Sequence, residues 1–324
     1  MAYNTLTLDL VDKASAFLKG KIRKTPLEFS PPLSKLLGAD IYLKLDFFQI
    51  TGSFKVRGAL FRLSQLSEEE KQRGVATCSA GNHGKAIAYA AKLLGIKSFI
   101  YVPKNVDDSK YQGMLDLGAT VIRSDSVGFA KTEEQALKES QEKNLTFVSA
   151  FDDYAVMAGN GGTLAQEILE DLPQAETFIL PVGGGGLSGG FSFYMKEKKP
   201  NSLIIGCQHK DSAGLKLSFE QGLAVTDLPG IETVAGGIEG GIGELCFEIL
   251  KSRIDDVVVA SEEEIRHGFI WALQNLQYLI EPSADVTLAC CLNGSLSAIK
   301  SPGVVVLSGR NVSLSTIKMI LQQA

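Results

Sequence analysis

The chain has 324 residues, 45% hydrophobic and 21% charged, which is the composition of a globular protein long enough for two compact lobes. Its net charge of −5, with basic residues interspersed among acidic ones, excludes the footprint of a nucleic-acid binder. No run of about 18 uncharged apolar residues is present, so no membrane-spanning helix is expected.

The N-terminal segment MAYNTLTLDLVDKASAFLKG carries acids within a helical pattern and lacks the basic start of a secretory signal. Short β-branched runs then alternate with longer helical ones. Strands are expected at IYLKL (41–45), SFIYVP (98–103), TVIRS (120–124) and TFVSA (146–150). Further strands are expected at TFILPV (177–182), SLIIGCQ (202–208), DVVVAS (256–261) and GVVVLSG (303–309). Several are continuous apolar runs, as in strands covered on both faces of a mainly parallel sheet. Helices are expected at 82–95, at 261–279 behind the capping box of Ser261 and Glu264, and at the C-terminal VSLSTIKMILQQA. The alternation defines an α/β fold with crossover helices. Cys78, Cys207, Cys246, Cys290 and Cys291 form no CxxC pair and no metal spacing. They read as reduced thiols in the cytoplasm.

Four motifs bear chemistry. In TGSFKVRG (51–58), Lys55 follows Gly52 and Ser53 into a helix start, where the macrodipole favours a neutral amine. A neutral amine suits Schiff-base or general-base work; the alternative is a solvated surface lysine. In CSAGNHGKA (78–86), a strand-like VATC ends, and Ser79, Ala80, Gly81 and Asn82 turn into a helix. Free N–H groups at such a turn suit a carboxylate. His83 reads more readily as a histidine packing the turn than as an acid or base.

PVGGGGLSGG (181–190) follows a strand with four glycines and then a helix, which lets the backbone aim several N–H groups at a phosphate. Gly184, Gly186 and Gly189 also satisfy GxGxxG, with Asp211 downstream, so a dinucleotide-binding dehydrogenase is a competing reading. The position in mid-chain counts against it. In VVVLSGRN (304–311), Ser308 leaves a buried strand where ligands of open α/β sheets collect, although a turn serine has the same appearance.

In this order the four motifs resemble the fold type II enzymes dependent on pyridoxal 5′-phosphate (PLP), the tryptophan synthase β-like group. The match is nearest to the serine/threonine dehydratase and serine racemase branch and covers nearly the full chain. It implies two open, twisted, mainly parallel α/β lobes: a small domain of 74–151 inserted in a large PLP-binding domain of 1–73 and 152–324, with the active site between them. It implies that Lys55 carries PLP as a Schiff base and is also the base at Cα. Phe54 packs against the ring, Asn82 meets the ring hydroxyl, and Gly183, Gly184, Gly185, Gly186 and Leu187 cradle the phosphate. Ser308 meets the pyridine nitrogen, and Ser79, Ala80, Gly81, Asn82 and His83 form the substrate-carboxylate loop. The segment IEPSADVTLA (280–289) resembles one that sets a glutamate near the ring.

The implied reaction is β-elimination from L-threonine, L-serine or a related 3-hydroxy amino acid, giving a 2-oxo acid and ammonia. A cytoplasmic homodimer is implied as well. Departures refine the choice. Ala80 stands where racemases of the group hold a proton-bearing serine, which favours dehydratase over racemase. Gln208 and His209 stand where some relatives bind a divalent cation, so no metal is expected. Arg310 replaces a glycine, pointing either to a second substrate carboxylate, as in a hydroxyaspartate, or to solvent. Asp285 replaces a small residue.

Overall fold

The computed structural model describes residues 3–322. Its ten strands are β1 (Leu27–Phe29), β2 (Ile41–Leu45), β3 (Val75–Cys78), β4 (Ser98–Val102), β5 (Thr120–Arg123), β6 (Thr146–Phe147), β7 (Thr177–Pro181), β8 (Leu203–His209), β9 (Asp256–Ala260) and β10 (Gly303–Leu307). They form two sheets. The larger runs β1-β2-β10-β7-β8-β9 and the smaller β5-β4-β3-β6. Every pairing is parallel except β1 on β2 at the edge, so helices must cover both faces. This explains the uninterrupted apolar strands: every residue of β7 and of β10 is buried.

The expected strands form within a residue or two, with one exception. The segment 146–150 pairs only at Thr146–Phe147. Val148 still donates to the Ala76 carbonyl, but Ser149 Oγ then caps the N–H groups of Phe151 and Asp152 and turns the chain away. That turn presents the Ala150 carbonyl to Lys55. The helix expected to reach 279 ends at Asn275, because Gln277 takes a left-handed conformation with φ of 55°. The C-terminal helix spans Leu314–Gln322, and the last two residues of its pattern lie outside the described residues. All five cysteines are buried free thiols. Among the described residues, no helix is long and apolar enough to cross a membrane.

The two sheets aim the carboxyl ends of their central strands at one region. Chain leaving β2 leads to Lys55, chain leaving β3 to Ser79 and Asn82, chain leaving β7 to the glycine run, and chain leaving β10 to Ser308. Ligand sites of open α/β sheets form at such ends.

Candidate active site

Lys55 is the first residue of the helix Lys55–Ser64. A buried ionic cluster fixes this helix. The Arg57 guanidinium grips Asp46 through Nε at 3.0 Å and Nη2 at 2.7 Å, and Glu167 through Nη1 at 2.7 Å and Nη2 at 3.0 Å. Lys44 Nζ donates to Glu167 at 2.8 Å and to the Thr25 carbonyl at 2.8 Å. Burial works against ionising Asp46, yet Arg57 and Lys44 hold its carboxyl below its ordinary value. Gly58 completes the anchor, since a Cβ there would lie 2.6 Å from Asn160 Oδ1, which accepts the Gly58 N–H at 2.8 Å. The sequence motif around Lys55 is thus largely a mounting for the lysine.

The Lys55 side chain reaches the turn that follows β6. Its Nζ donates to the Ala150 carbonyl at 2.8 Å and lies 5.2 Å from the centroid of the Phe54 ring. Burial pushes this amine down to about 8, with Cys246 and Glu281 opposing. Ser308 is buried beside it, and its carbonyl accepts the Phe54 N–H at 3.0 Å. The Ser308 hydroxyl has no hydrogen-bond partner among the described residues.

Asn82 opens the helix Asn82–Leu94. Its Nδ2 donates to Glu281 Oε1 at 2.6 Å, and its Oδ1 accepts from Asn311 Nδ2 at 2.6 Å. Glu281 Oε2 accepts the Asn311 N–H at 3.2 Å. Burial raises the Glu281 carboxyl to about 7, against the pull of these donors and of Lys110 and Lys55. Glu281 and Asn311 therefore belong to the site as firmly as Asn82 does. The sequence marks Glu281 only through its segment, as a Glu-Pro pair opening the helix Pro282–Leu292, and Asn311 only as the last residue of the 304–311 motif, with no role given to it. Asp285, one turn further on, is fully buried with neither carboxylate oxygen partnered, and burial followed by Glu281 pushes its carboxyl well up.

His83 is drawn inward, away from the exposed Gly81. It is 3% exposed, and its Nε2 lies 3.3 Å from the Val148 carbonyl. Burial and then the Lys55 charge push its ring down to about 3, so it is neutral near pH 7. This corresponds to the packing alternative for this histidine. Ser79 Oγ accepts the Gly81 N–H at 3.2 Å, and Ala80 packs against the core cluster of Ile100 and Met114.

The glycine run has no room for side chains. A Cβ on Gly184 would meet the Phe151 ring at 2.4 Å, one on Gly186 the Phe151 Cα at 2.7 Å, and one on Gly185 the Cys246 Cβ at 2.6 Å. Gly185 also has φ of 99°, which glycine alone adopts freely. The N–H groups of Gly183, Gly184 and Gly185 donate to no backbone acceptor among the described residues. Those of Gly186, Leu187 and Ser188 lie in the first turn of the helix Gly186–Lys198, where no intrahelical acceptor exists. Together they suit an anion with several oxygens. Gly237, which a Cβ on Gly183 would approach to 3.0 Å through its carbonyl, is tied by its N–H to Ser283 Oγ at 2.8 Å.

Gln208 and His209, at the place of a possible cation site, serve the fold. Gln208 Oε1 accepts the Lys216 N–H at 3.0 Å, and His209 Nε2 lies 3.3 Å from Glu262 Oε2. Asp211, the ribose partner required by the dinucleotide reading, is exposed on the turn after β8.

A lysine with a depressed amine, a phosphate-sized cradle of N–H groups and an uncharged hydroxyl define a class: α/β enzymes that hold a phosphorylated aldehyde cofactor between two sheets. Residues 18–309 match the family described as pyridoxal-phosphate dependent enzyme, and the chain belongs to that family. It is 37% identical over 319 residues to an L-threonine ammonia-lyase of Thermotoga maritima, covering 98% of this chain and 79% of that protein. It is 35% identical to a catabolic L-threonine dehydratase of Staphylococcus aureus, covering 99% of this chain and 96% of that one. The structure of maize serine racemase superposes with a TM-score of 0.89 at 28% identity, covering 98% of this chain and 99% of that one. The cofactor is PLP, and the dinucleotide reading of the glycine run falls away.

Proposed function

We propose that the protein is an ammonia-lyase that removes water from L-threonine, L-serine or a related 3-hydroxy amino acid and releases a 2-oxo acid and ammonia. The observation that carries this reading is Lys55, whose amine, pushed down to about 8, sits where the carboxyl ends of both sheets converge. When bound, PLP supplies a sink for the electron pair left on Cα. The residues that would hold it are Lys55 at its aldehyde and Gly183, Gly184, Gly185, Gly186 and Leu187 at its phosphate. Asn82 would meet its ring hydroxyl, Ser308 its ring nitrogen and Phe54 one ring face.

The chain's own part is to bind, orient and move one proton. The N–H groups of Ala80 and Asn82, the two of the 79–82 loop that donate to no acceptor among the described residues, receive the substrate carboxylate. The Lys55 amine, near its pKa at neutral pH, takes the Cα proton. The hydroxyl on Cβ leaves with a proton as water, and the resulting enamine is hydrolysed to the 2-oxo acid and ammonia. Ala80 carries no proton, so Lys55 alone serves Cα, which favours elimination over racemisation. The names of the L-threonine ammonia-lyase and L-threonine dehydratase relatives support the same direction. Segment 74–151, which holds the smaller sheet, is proposed to close as one lobe on the rest and exclude water. A cytoplasmic homodimer is proposed from the resemblance, and the reduced thiols agree with a reducing compartment.

The test uses protein purified with PLP. We expect a visible absorption band that is missing in Lys55→Ala, and 2-oxo acid formation from L-threonine or L-serine that disappears with it. Full activity in Lys55→Ala, or D-isomer as the sole product, would refute the assignment.

A further inference from the structure

The chain between β6 and β7 contains a helix with an irregular middle. Tyr154–Met157 is α-helical, Ala158–Gly162 forms a π-helical turn, and Thr163–Asp171 is α-helical again. The Thr163 N–H accordingly donates to the Ala158 carbonyl, five residues back. Such turns hold an extra residue, are rare, and concentrate at functional sites. All five residues of this one, AGNGG, are buried.

The turn lies between the helix that starts with Lys55 and the helix that follows the glycine run. Toward the first, a Cβ on Gly159 would stand 2.7 Å from the Gly58 Cα. Asn160 Oδ1 accepts the Gly58 N–H at 2.8 Å, and Thr163 Oγ1 accepts from Arg57 Nη1 at 3.4 Å. Toward the second, a Cβ on Gly161 would run into the Leu187 carbonyl and the Phe191 nitrogen, and one on Gly190 into the Met157 carbonyl. Backbone therefore meets backbone on both sides. Contacts of that kind transmit a displacement with little give, because close-packed interiors are hard to compress.

Asn160 also shapes the turn on which Lys55 sits. The Phe54 carbonyl accepts the Arg57 N–H, three residues on, at 3.0 Å. A regular helix would send the Gly58 N–H to that same carbonyl, but here it goes to Asn160. The helix start around Lys55 is thus tighter than an α-helix, and the Asn160 oxygen holds it so. Asn160 is 1% exposed, and its Nδ2 has no hydrogen-bond partner among the described residues. An unpaired buried donor is unfavourable, so an apolar residue would serve packing alone better. What the position supplies is its oxygen.

We propose that Asn160 is a positioning residue for Lys55, and that the π-helical turn is the spacer that sets Lys55 against the phosphate cradle. Asn160 acts through the Gly58 N–H. Without its oxygen that N–H returns to the Phe54 carbonyl, the helix start relaxes, and Lys55 and Phe54 turn relative to Gly183–Leu187. The inference rests on the cofactor site and holds whichever amino acid the enzyme takes.

The experiment compares three variants. Asn160→Ala removes the acceptor and Asn160→Asp retains one. Ile168→Ala, in the core cluster beside Leu164 and Leu172, is the control for lost stability alone. Each is measured for urea midpoint, PLP dissociation constant, visible ellipticity per bound PLP, and kcat and KM for L-threonine. Asn160→Ala is expected to weaken PLP binding and lower kcat by about tenfold each, with KM little changed, as for a reacting group moved by a fraction of an ångström. Its visible ellipticity should fall, because the ring is held differently. Asn160→Asp should stay close to wild type in all of these. Ile168→Ala should lower the urea midpoint and leave PLP affinity and ellipticity unchanged. An Asn160→Ala enzyme that behaves like Ile168→Ala overturns the proposal. So does an Asn160→Asp enzyme with tenfold weaker PLP binding, and this variant decides the matter if Asn160→Ala does not fold. PLP affinity and ellipticity require no turnover, so failure of the ammonia-lyase reading appears separately, as normal PLP binding without reaction of the 3-hydroxy amino acids.

Discussion

Gly309→Ala tests how closely the chain after β10 runs against Glu281, where there is no room for a side chain. The new Cβ would stand 2.0 Å from Glu281 Oε1, 2.7 Å from its Cδ and 3.3 Å from Asn82 Nδ2. Carbon and oxygen do not approach within about 3 Å, so the carboxyl must retreat by roughly 1 Å or the strand end must lift. Either movement breaks the 2.6 Å bond from Asn82. Overpacking costs about 1–3 kcal/mol. Loss of a hydrogen bond to a buried carboxyl adds about 1.5 kcal/mol. The expected total is roughly 3 kcal/mol, read from urea denaturation of the apoprotein. PLP affinity should fall as well, because Asn82 loses its orientation. Gly113→Ala is the control: nothing lies within 4 Å of a Cβ there, and the position is inside the helix Asp108–Asp116. It should be neutral or stabilising by about 0.5 kcal/mol. If Gly309→Ala stays within about 0.5 kcal/mol of wild type and binds PLP equally well, the proposed contact is wrong.

Two buried groups give opposite pH signatures, each isolated by comparing a variant with wild type. Glu281 has its folded value raised to about 7, so its contribution is present below the unfolded carboxyl range and is lost as pH rises. Glu281→Gln should therefore gain on wild type by roughly 3 kcal/mol between about pH 4.5 and 7. His83 has its folded value lowered to about 3, so its contribution is present above the ordinary histidine value and is lost as pH falls. His83→Asn should gain on wild type by roughly 3 kcal/mol between about pH 6.5 and 4. Parallel pH curves for variant and wild type would contradict either assignment. Arg57→Met should destabilise the apoprotein by about 3–5 kcal/mol, seen in the urea midpoint, because Asp46 and Glu167 lose their shared cation in the interior. A cost below about 1 kcal/mol would mean that the cluster is not the mounting of Lys55.

The sequence by itself determined what is local. Alternating apolar strands and helices determined the parallel α/β class, because such strands must be covered on both faces. The positions of Lys55, Asn82, the glycine run and Ser308 were legible because each sits at a strand-to-helix junction, where chain direction and free N–H groups follow from a few residues. The capping box of Ser261 and Glu264 formed as read, with both of its hydrogen bonds. The strand at 146–150 was cut short by Ser149, whose hydroxyl competes for backbone donors in a way that β-propensity does not register.

Only the tertiary structure decided what depends on distant partners. Glu281 joins Asn82 across 199 residues, and Asn311 joins it across 229, so no local pattern marks them as one network. His83 faces Val148 rather than the open side of its loop, a choice made by the packing of the smaller sheet. The depressed amine of Lys55 also has a tertiary origin. A helix start offers a modest bias toward the neutral form, whereas desolvation between the two sheets brings it to about 8 against the pull of Cys246 and Glu281. Chain-local geometry placed the lysine, and burial between the two sheets made it suitable as a base.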